Sequence, residues 1–374
     1  MTAPYVKRLV AQIESCTDVA PRAMLTAELA CYWARVGEFD EAERLRKELR
    51  STFGDGRDVR VSILIMCIEG LLLYFRELSP GALDRLARAS LLSVAAGHKS
   101  LIALTSSWLA HIHFNSNRYV EMSDAIGVCL NSLEKSNLPA VCRVAMLLGD
   151  AYLYSGNAAV AQLWYDRARN AALELGDQAF VGALTYNRSA LRVFVARVAS
   201  ASASASAAAT QSEDHSRLLA GEVQSAINYQ AVAQLRSLDH LLAASRVGVL
   251  ILQRNFSLAR PVIEALLSSN DVKPLTPQAS ILKADLALCF ANSGLVDSSM
   301  QAITEILSLN LDQYDSGDRV LIYSSIREAY KSCGLPEKFG ELELPLARAL
   351  ADYKIQISAI EKLLAPFQSA SINN

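Results

Sequence analysis

The chain of 374 residues is 52% hydrophobic and 20% charged, a composition that excludes an intrinsically disordered protein. Its 17 glycines and 10 prolines are few, which favours long helices with short connections over a fold of many strands and turns. The formal net charge of −2 argues against a nucleic-acid partner, which would require a strongly basic surface.

The first predicted element is an amphipathic helix over 4–14, which lacks the apolar core of a secretory signal peptide. The most apolar stretch, 61–75, is too short to span a bilayer and contains Glu69, so it predicts a buried helix. The seven cysteines include no CxxC pair, which is typical of free thiols in a reducing compartment and disfavours structural zinc. We therefore expect a cytoplasmic protein with no membrane partner.

The clearest internal unit has the sequence LLGDAYLYSGNAAVAQLWYDRARNA. In it, Gly149 and Ala161 are small enough for two helices to cross closely, and Tyr152 and Tyr165 would fill the space beside that crossing. Gly156 suits a left-handed turn between the two helices. Both the residue types and their spacing resemble the tetratricopeptide repeat (TPR). The resemblance implies an all-α, right-handed superhelix of helix pairs.

Residues equivalent to Gly149 recur along the chain, and we call them anchors: Ala30, Gly70, Ala110, Gly149, Ala190, Val247, Ala287 and Arg327. Consecutive anchors lie 39–41 residues apart, except for 57 between Ala190 and Val247. The period exceeds the about 34 residues of a typical TPR. It is similar to the elongated repeats of bacterial regulator and sensor arms. It predicts about eight helix pairs with capping helices, in one domain over 1–374.

The long interval coincides with a Ser/Ala-rich stretch over 200–216. Such a composition buries little apolar surface, which predicts a disordered insertion within the fifth repeat, with an Ala-rich helical extension as the alternative. The last predicted element is a capping helix over 344–366. Solenoids need such caps because their end repeats would otherwise expose an apolar face.

No sequence motif indicates catalysis or a bound cofactor. The patterns HExxH, GxGxxG, GxxxxGK[ST] and GxSxG do not occur in the chain. His111 and His113 would point about 200° apart on a helix, so they could not share a metal ion. We therefore expect a protein that is not an enzyme and that holds neither a cofactor nor a metal.

In TPR arrays the first helix of each pair forms most of the concave surface, so a partner is expected there. The corresponding positions mix aromatic, amide and charged residues, a mixture that suits recognition of a peptide. These candidates are Arg35, Tyr74, Phe75, Trp108, His111, Phe114, Asn115, Asp150, Tyr154, Asn187, Arg188 and Phe194. Packing between repeats is an alternative role for the aromatic members, whereas amides and guanidinium groups are rarely used for packing.

Three functions remain open at this point. The leading hypothesis is a protein-interaction scaffold that binds a partner peptide or protein segment in its concave groove. The second is a regulatory or sensor module that binds a small molecule or signal peptide and acts through a separate effector. The third is self-assembly, for example as a homodimer, which would cover apolar surface.

Overall fold

A computed structural model describes residues 3–76, 79–202, 209–269 and 276–368. These residues form helices and turns and contain no strand. The α-helices are α1 (Pro4–Ser15), α2 (Val19–Val36), α3 (Phe39–Phe53), α4 (Val59–Phe75), α5 (Gly81–Ala95), α6 (Lys99–Asn115), α7 (Tyr119–Ser132), α8 (Leu138–Tyr154), α9 (Ala158–Leu175), α10 (Gln178–Ser202), α11 (Ala209–Ala233), α12 (Asp239–Leu252), α13 (Phe256–Ser268), α14 (Pro277–Asn292), α15 (Val296–Leu307), α16 (Ser316–Ser332), α17 (Pro336–Glu341) and α18 (Glu343–Leu364).

Helices α2 to α17 pack as consecutive pairs, and all eight anchors lie on the even-numbered first helices, α2 to α16. The prediction of an all-α helical solenoid is therefore confirmed. Helix α1 corresponds to the predicted N-terminal cap over 4–14, and α18 to the predicted C-terminal helix over 344–366.

The anchors lie where the two helices of a pair approach most closely. A Cβ atom on Gly149 would lie 2.6 Å from the ring of Tyr165, which a real side chain could not tolerate. In the second repeat, a Cβ atom on Gly70 would lie 2.7 Å from Leu86, again sixteen residues after the anchor. The sequence interpretation of Gly149 and Tyr165 as partners at one crossing therefore agrees with the structure.

A second recurring feature ends the first helix of each pair. In six repeats, the seventh residue after the anchor has a positive φ angle; these residues are Gly37, Asn117, Gly156, Arg254, Gly294 and Gly334. This left-handed conformation is the common way to end a helix, and glycine adopts it without strain from a Cβ atom. The same register thus sets both the crossing and the turn of each pair.

Substitutions at Arg254 and Gly294 test this register, because they are expected to change the free energy of unfolding in opposite directions. Arg254 has a φ of 57°, a conformation that costs a residue with a side chain about 1–2 kcal/mol. We expect Arg254→Gly to raise the free energy of unfolding by about 0.5–1 kcal/mol. We expect Gly294→Ala to lower it by about 1 kcal/mol, since its Cβ would meet no atom within 4 Å and only the backbone would be strained. Urea unfolding measures the free energy of unfolding of both variants. A change in the same direction for the two would contradict the shared register.

The Ser/Ala-rich stretch is helical where it is described. Helix α10 continues to Ser202 and α11 begins at Ala209, so each of them is 25 residues long. Residues 200–202 and 209–216 are therefore helical, as in the alternative of a helical extension, and residues 203–208 lie outside the described residues. Alanine has the highest helix propensity, and buried residues such as Val193 and Leu219, which belong to one core cluster, hold the two helices together.

The first repeat contacts the beginning of the fifth. Arg35 Nη2, near the end of α2, lies 2.5 Å from Asp177 Oδ2, just before α10. From α1, the backbone N–H of Tyr5 donates to the carbonyl of Gly176 at 3.3 Å, and Arg8 Nη2 donates to the carbonyl of Leu175 at 2.6 Å. These contacts join α1 and the first repeat to the beginning of the fifth.

Helix α10 also contacts the later repeats. Arg197 Nη2 lies 2.6 Å from Asp285 Oδ1 on α14, and the hydroxyl of Ser325 on α16 donates to the same oxygen at 2.7 Å. Phe194 packs directly on Gly317, where a Cβ atom would lie 2.4 Å from the ring. One long helix therefore connects the two halves of the solenoid.

Helix α18 does more than cap the last repeat, because it turns back onto the third and fourth. Tyr152 donates its hydroxyl to the carbonyl of Leu364 at 2.7 Å, and Gln356 Nε2 donates to the hydroxyl of Tyr119 at 2.7 Å. Ile360 and Leu364 are fully buried in the core of these repeats.

Because α18 docks on these repeats, we expect substitutions of two of its isoleucines to change the free energy of unfolding by very different amounts. Ile360 is 0% exposed, so Ile360→Ala is expected to lower the free energy of unfolding by about 2–5 kcal/mol through lost burial and a new cavity. Ile355 is 70% exposed, and Ile355→Ala is expected to change the free energy of unfolding by less than about 0.5 kcal/mol. Equal effects in denaturant unfolding would mean that α18 does not dock on α7 and α8.

Candidate functional site

Two cavities lie among the first helices of the first five repeats. Cavity A has a volume of about 610 Å³ and lies among α1, α2, α4, α6, α8 and the beginning of α10. Cavity B, of about 480 Å³, lies among the end of α2, α4, α6, α8, α10 and residues 235–241. Both volumes fall in the range of about 300–1,000 Å³ that is typical of small-ligand sites. Arg35 and Arg143 line both cavities.

Most of the predicted site residues line cavity B. They are Arg35, Tyr74, Phe75, His111, Phe114, Asn115, Asp150, Asn187 and Phe194. Trp108 lines cavity A instead. The structure thus brings together residues from five repeats that the spacing had placed on one surface.

Arg188 and Tyr154 are the two predicted residues that line neither cavity. Arg188 Nη2 lies 3.6 Å from Glu222 Oε1 on α11. It follows Asn187 by one residue, which turns its side chain about 100° away around the helix. Tyr154 is covered by Tyr353 of α18, whose ring centroid lies 5.8 Å from its own. It also stacks on Phe194, and its hydroxyl lies 3.1 Å from Asp315 Oδ1.

Arg143 lies between the two cavities and was not among the residues predicted from the sequence. It is 6% exposed, and its guanidinium carbon lies 3.7 Å from the ring centroid of Trp108 and 5.2 Å from that of Phe180. Burial, with a contribution from the nearby Arg35, lowers the pKa of Arg143 to about 9. A signal was present, because this is the one charged residue among the first twelve of α8.

Hydrogen bonds hold the polar groups of cavity B in place. Asp150 accepts from the hydroxyl of Tyr165 at 2.8 Å and from Asn187 Nδ2 at 2.9 Å. Burial raises the pKa of the Asp150 carboxyl to about 7, although these hydrogen bonds oppose that change. Asn115 Nδ2 lies 3.2 Å from His111 Nε2. Burial lowers the pKa of His111 to about 3, so its ring is neutral at ordinary pH.

Cavity A has mainly apolar walls, with charged side chains among them. Its Asp177 is paired with Arg35, and its Glu28 accepts a hydrogen bond from the hydroxyl of Tyr5. Cys31 and Cys142 also line it, and burial raises the pKa of each thiol to about 12. Protonated thiols are weak nucleophiles, so the arrangement is suited to binding rather than to thiolate chemistry.

In the described ranges, no group of three or more His, Cys, Asp or Glu side chains could hold a metal ion. In the same part of the chain, every helix is too short or too polar to cross a membrane.

Comparison of the chain with protein-family models and with curated proteins found no match. The fold and the cavities define a class of protein, a helical-repeat protein with two cavities among its first five repeats.

Proposed function

We propose that this protein is a non-enzymatic binding module of the sensor type. It takes a ligand of metabolite or short-peptide size into the concave cavities of its first five repeats. The observation that carries this proposal is the contact of Arg35 with Asp177, which runs across the concave side and leaves two cavities beside it. An extended partner segment, as expected for a scaffold, would need an open groove.

Helix α10 provides a route from the bound ligand to the rest of the protein. Its Asn187 and Phe194 line cavity B, and one turn further along Arg197 pairs with Asp285 on α14. A ligand that shifts α10 would therefore act on the packing of the later repeats, which is how a sensor would pass its state to an effector.

We infer further that the repeats are of the TPR type and wind as a right-handed superhelix. The support is the period of 39–41 residues, the crossing of Gly149 with Tyr165, and the left-handed residue seven positions after the anchor.

The proposal can be tested with Nile red, a neutral apolar dye that fluoresces when it leaves water. We expect the wild type to bind it, and Leu104→Trp, which places a larger ring in cavity A, to weaken binding at least about tenfold. Leu91→Trp is the matched control, because Leu91 lies on α5 and is 70% exposed. Absence of dye binding, or equal binding by all three proteins, would contradict a ligand site in the cavities.

A further inference from the structure

Arg143 differs from the other well-buried arginines of this protein. The side chains of Arg35, Arg46 and Arg197 are 14%, 15% and 9% exposed, and each has a carboxylate oxygen within 3.0 Å. Arg143 is 6% exposed, yet among the described residues its Nε has no hydrogen-bond partner and no carboxylate forms an ion pair with it. Burying a guanidinium without a partner is costly, so an external anion would be favoured there.

The surroundings of Arg143 fix its orientation while leaving its donors free. The ring centroid of Trp108 lies 3.7 Å from the guanidinium carbon. An aromatic ring over the face of a guanidinium holds it by cation–π attraction. The N–H groups of arginine lie in the plane of the guanidinium, so stacking on its face does not occupy them. They remain available to a planar acceptor, and a carboxylate matches their spacing with two parallel hydrogen bonds.

The acidic groups near Arg143 do not satisfy it. In cavity A, Asp177 is paired with Arg35, Glu28 is bonded to Tyr5, and Glu134 is exposed. In cavity B, Asp150 lies two helical turns from Arg143, about 10.5 Å along α8. Its oxygens accept from Tyr165 and Asn187 instead. The cavities therefore offer one positive charge that the described residues leave unneutralised.

The walls of cavity A define the rest of the ligand. They include Met24, Leu25, Leu64, Leu104 and Phe180, which would contact a hydrocarbon chain or an aromatic ring system. An apolar wall with one unpaired cation selects a molecule with an apolar body and one anionic end.

We propose that cavity A binds an amphiphilic carboxylate, with the carboxylate accepting from Arg143 and the apolar body lying along cavity A. This rests on the proposed function, because it requires that the cavities receive a ligand. The same chemistry is found in a free alkanoic acid and in the C-terminus of an apolar peptide.

The test compares decanoate with decanol, which has the same chain but no charge, by calorimetric titration. The wild type is expected to bind decanoate at least about tenfold tighter than decanol, as one charge-assisted contact would produce. Arg143→Met keeps an apolar side chain of similar length and is expected to bind both compounds equally. Arg167→Met is the matched control, because Arg167 also lies over a tryptophan ring (Trp164, 5.4 Å) but lines neither cavity.

Nile red binding by Arg143→Met would show that this variant is folded. It also separates the carboxylate proposal from the proposed function. If the wild type binds Nile red but shows no preference for decanoate, or if Arg143→Met keeps the preference, the carboxylate proposal is overturned and the proposed function stands. If neither Nile red nor decanoate binds the wild type, both are overturned.

A further titration distinguishes the two sources of the carboxylate. It uses an acetylated tripeptide of two leucines and one phenylalanine, with a free C-terminus and as its amide. Tighter binding of the free-acid peptide than of decanoate would indicate a peptide ligand, and the reverse order a free acid. Equal binding of the free-acid peptide and its amide, together with equal binding of decanoate and decanol, would overturn the proposal.

Discussion

Asp177→Asn is expected to lower the free energy of unfolding by about 3–5 kcal/mol, because it leaves Arg35 buried without its partner charge. Burial by itself would lower the pKa of Arg35, but the Asp177 carboxylate outweighs it and raises that pKa. Asp177 Oδ1 also accepts from the backbone N–H of Phe180 at 2.9 Å at the beginning of α10. Asparagine can keep this capping bond, so the substitution isolates the loss of the ion pair.

Asp58→Asn provides the matched control for this loss. Asp58 also caps a helix, accepting from the backbone N–H of Arg60 at 2.9 Å, and it pairs with the Arg60 side chain two residues away. That pair is local and the arginine side chain is 38% exposed, so the expected loss is below about 1 kcal/mol. Adding Arg35→Met to Asp177→Asn should restore much of the stability, since no unpaired charge remains. An Asp177→Asn variant as stable as Asp58→Asn would mean that this contact does not close the solenoid.

Asp150→Asn is expected to stabilise the protein increasingly as the pH rises from about 4 to about 7. An aspartate in the unfolded chain has a pKa of about 3.9. In the folded protein, burial raises the pKa of Asp150 to about 7. Between these values the folded state keeps a proton that the unfolded state has lost, so the wild type loses stability with rising pH. The slope is at most about 1.4 kcal/mol per pH unit, or about 4 kcal/mol in all.

Asparagine does not titrate, so the variant lacks this contribution while its amide oxygen can still accept from Tyr165. The measurement is urea unfolding of both proteins at several pH values, with the difference in unfolding free energy plotted against pH. Asp84→Asn on α5 is the control substitution at an exposed carboxylate. A flat difference for Asp150→Asn would show that Asp150 is ionised in the folded protein throughout this range.

Much of the repeat could be predicted because its determinants lie close together in the sequence. Gly149 meets Tyr165 within a single pair, and Gly156 ends the first helix seven residues after its anchor. Such contacts depend on helix geometry and side-chain size, both of which appear as spacing in the sequence. The same periodicity placed His111, Asp150 and Asn187 on one surface, although each belongs to a different repeat.

The sequence marks Arg143 as a single charge in an apolar stretch, but it does not place Arg143 between two cavities, because that position depends on contacts between different helices. Trp108 on α6 and Phe180 on α10 surround it, and neither is a neighbour in sequence. The contact of Arg188 has a related cause: residue spacing assigns a face of the helix, and it does not show that Glu222 on α11 is within reach.

The sequence by itself determined the helices, their pairing, the register of the anchors and most of the predicted residues that line cavity B. Only the tertiary structure decided how the solenoid closes, through Arg35 with Asp177 and through the return of α18 onto the third and fourth repeats. The physical reason is the range of the interactions. Pairing is repeated in every unit and needs only neighbouring residues, whereas closure depends on the sum of small rotations between repeats. That sum determines which distant side chains meet, and here it leaves two cavities with Arg143 between them.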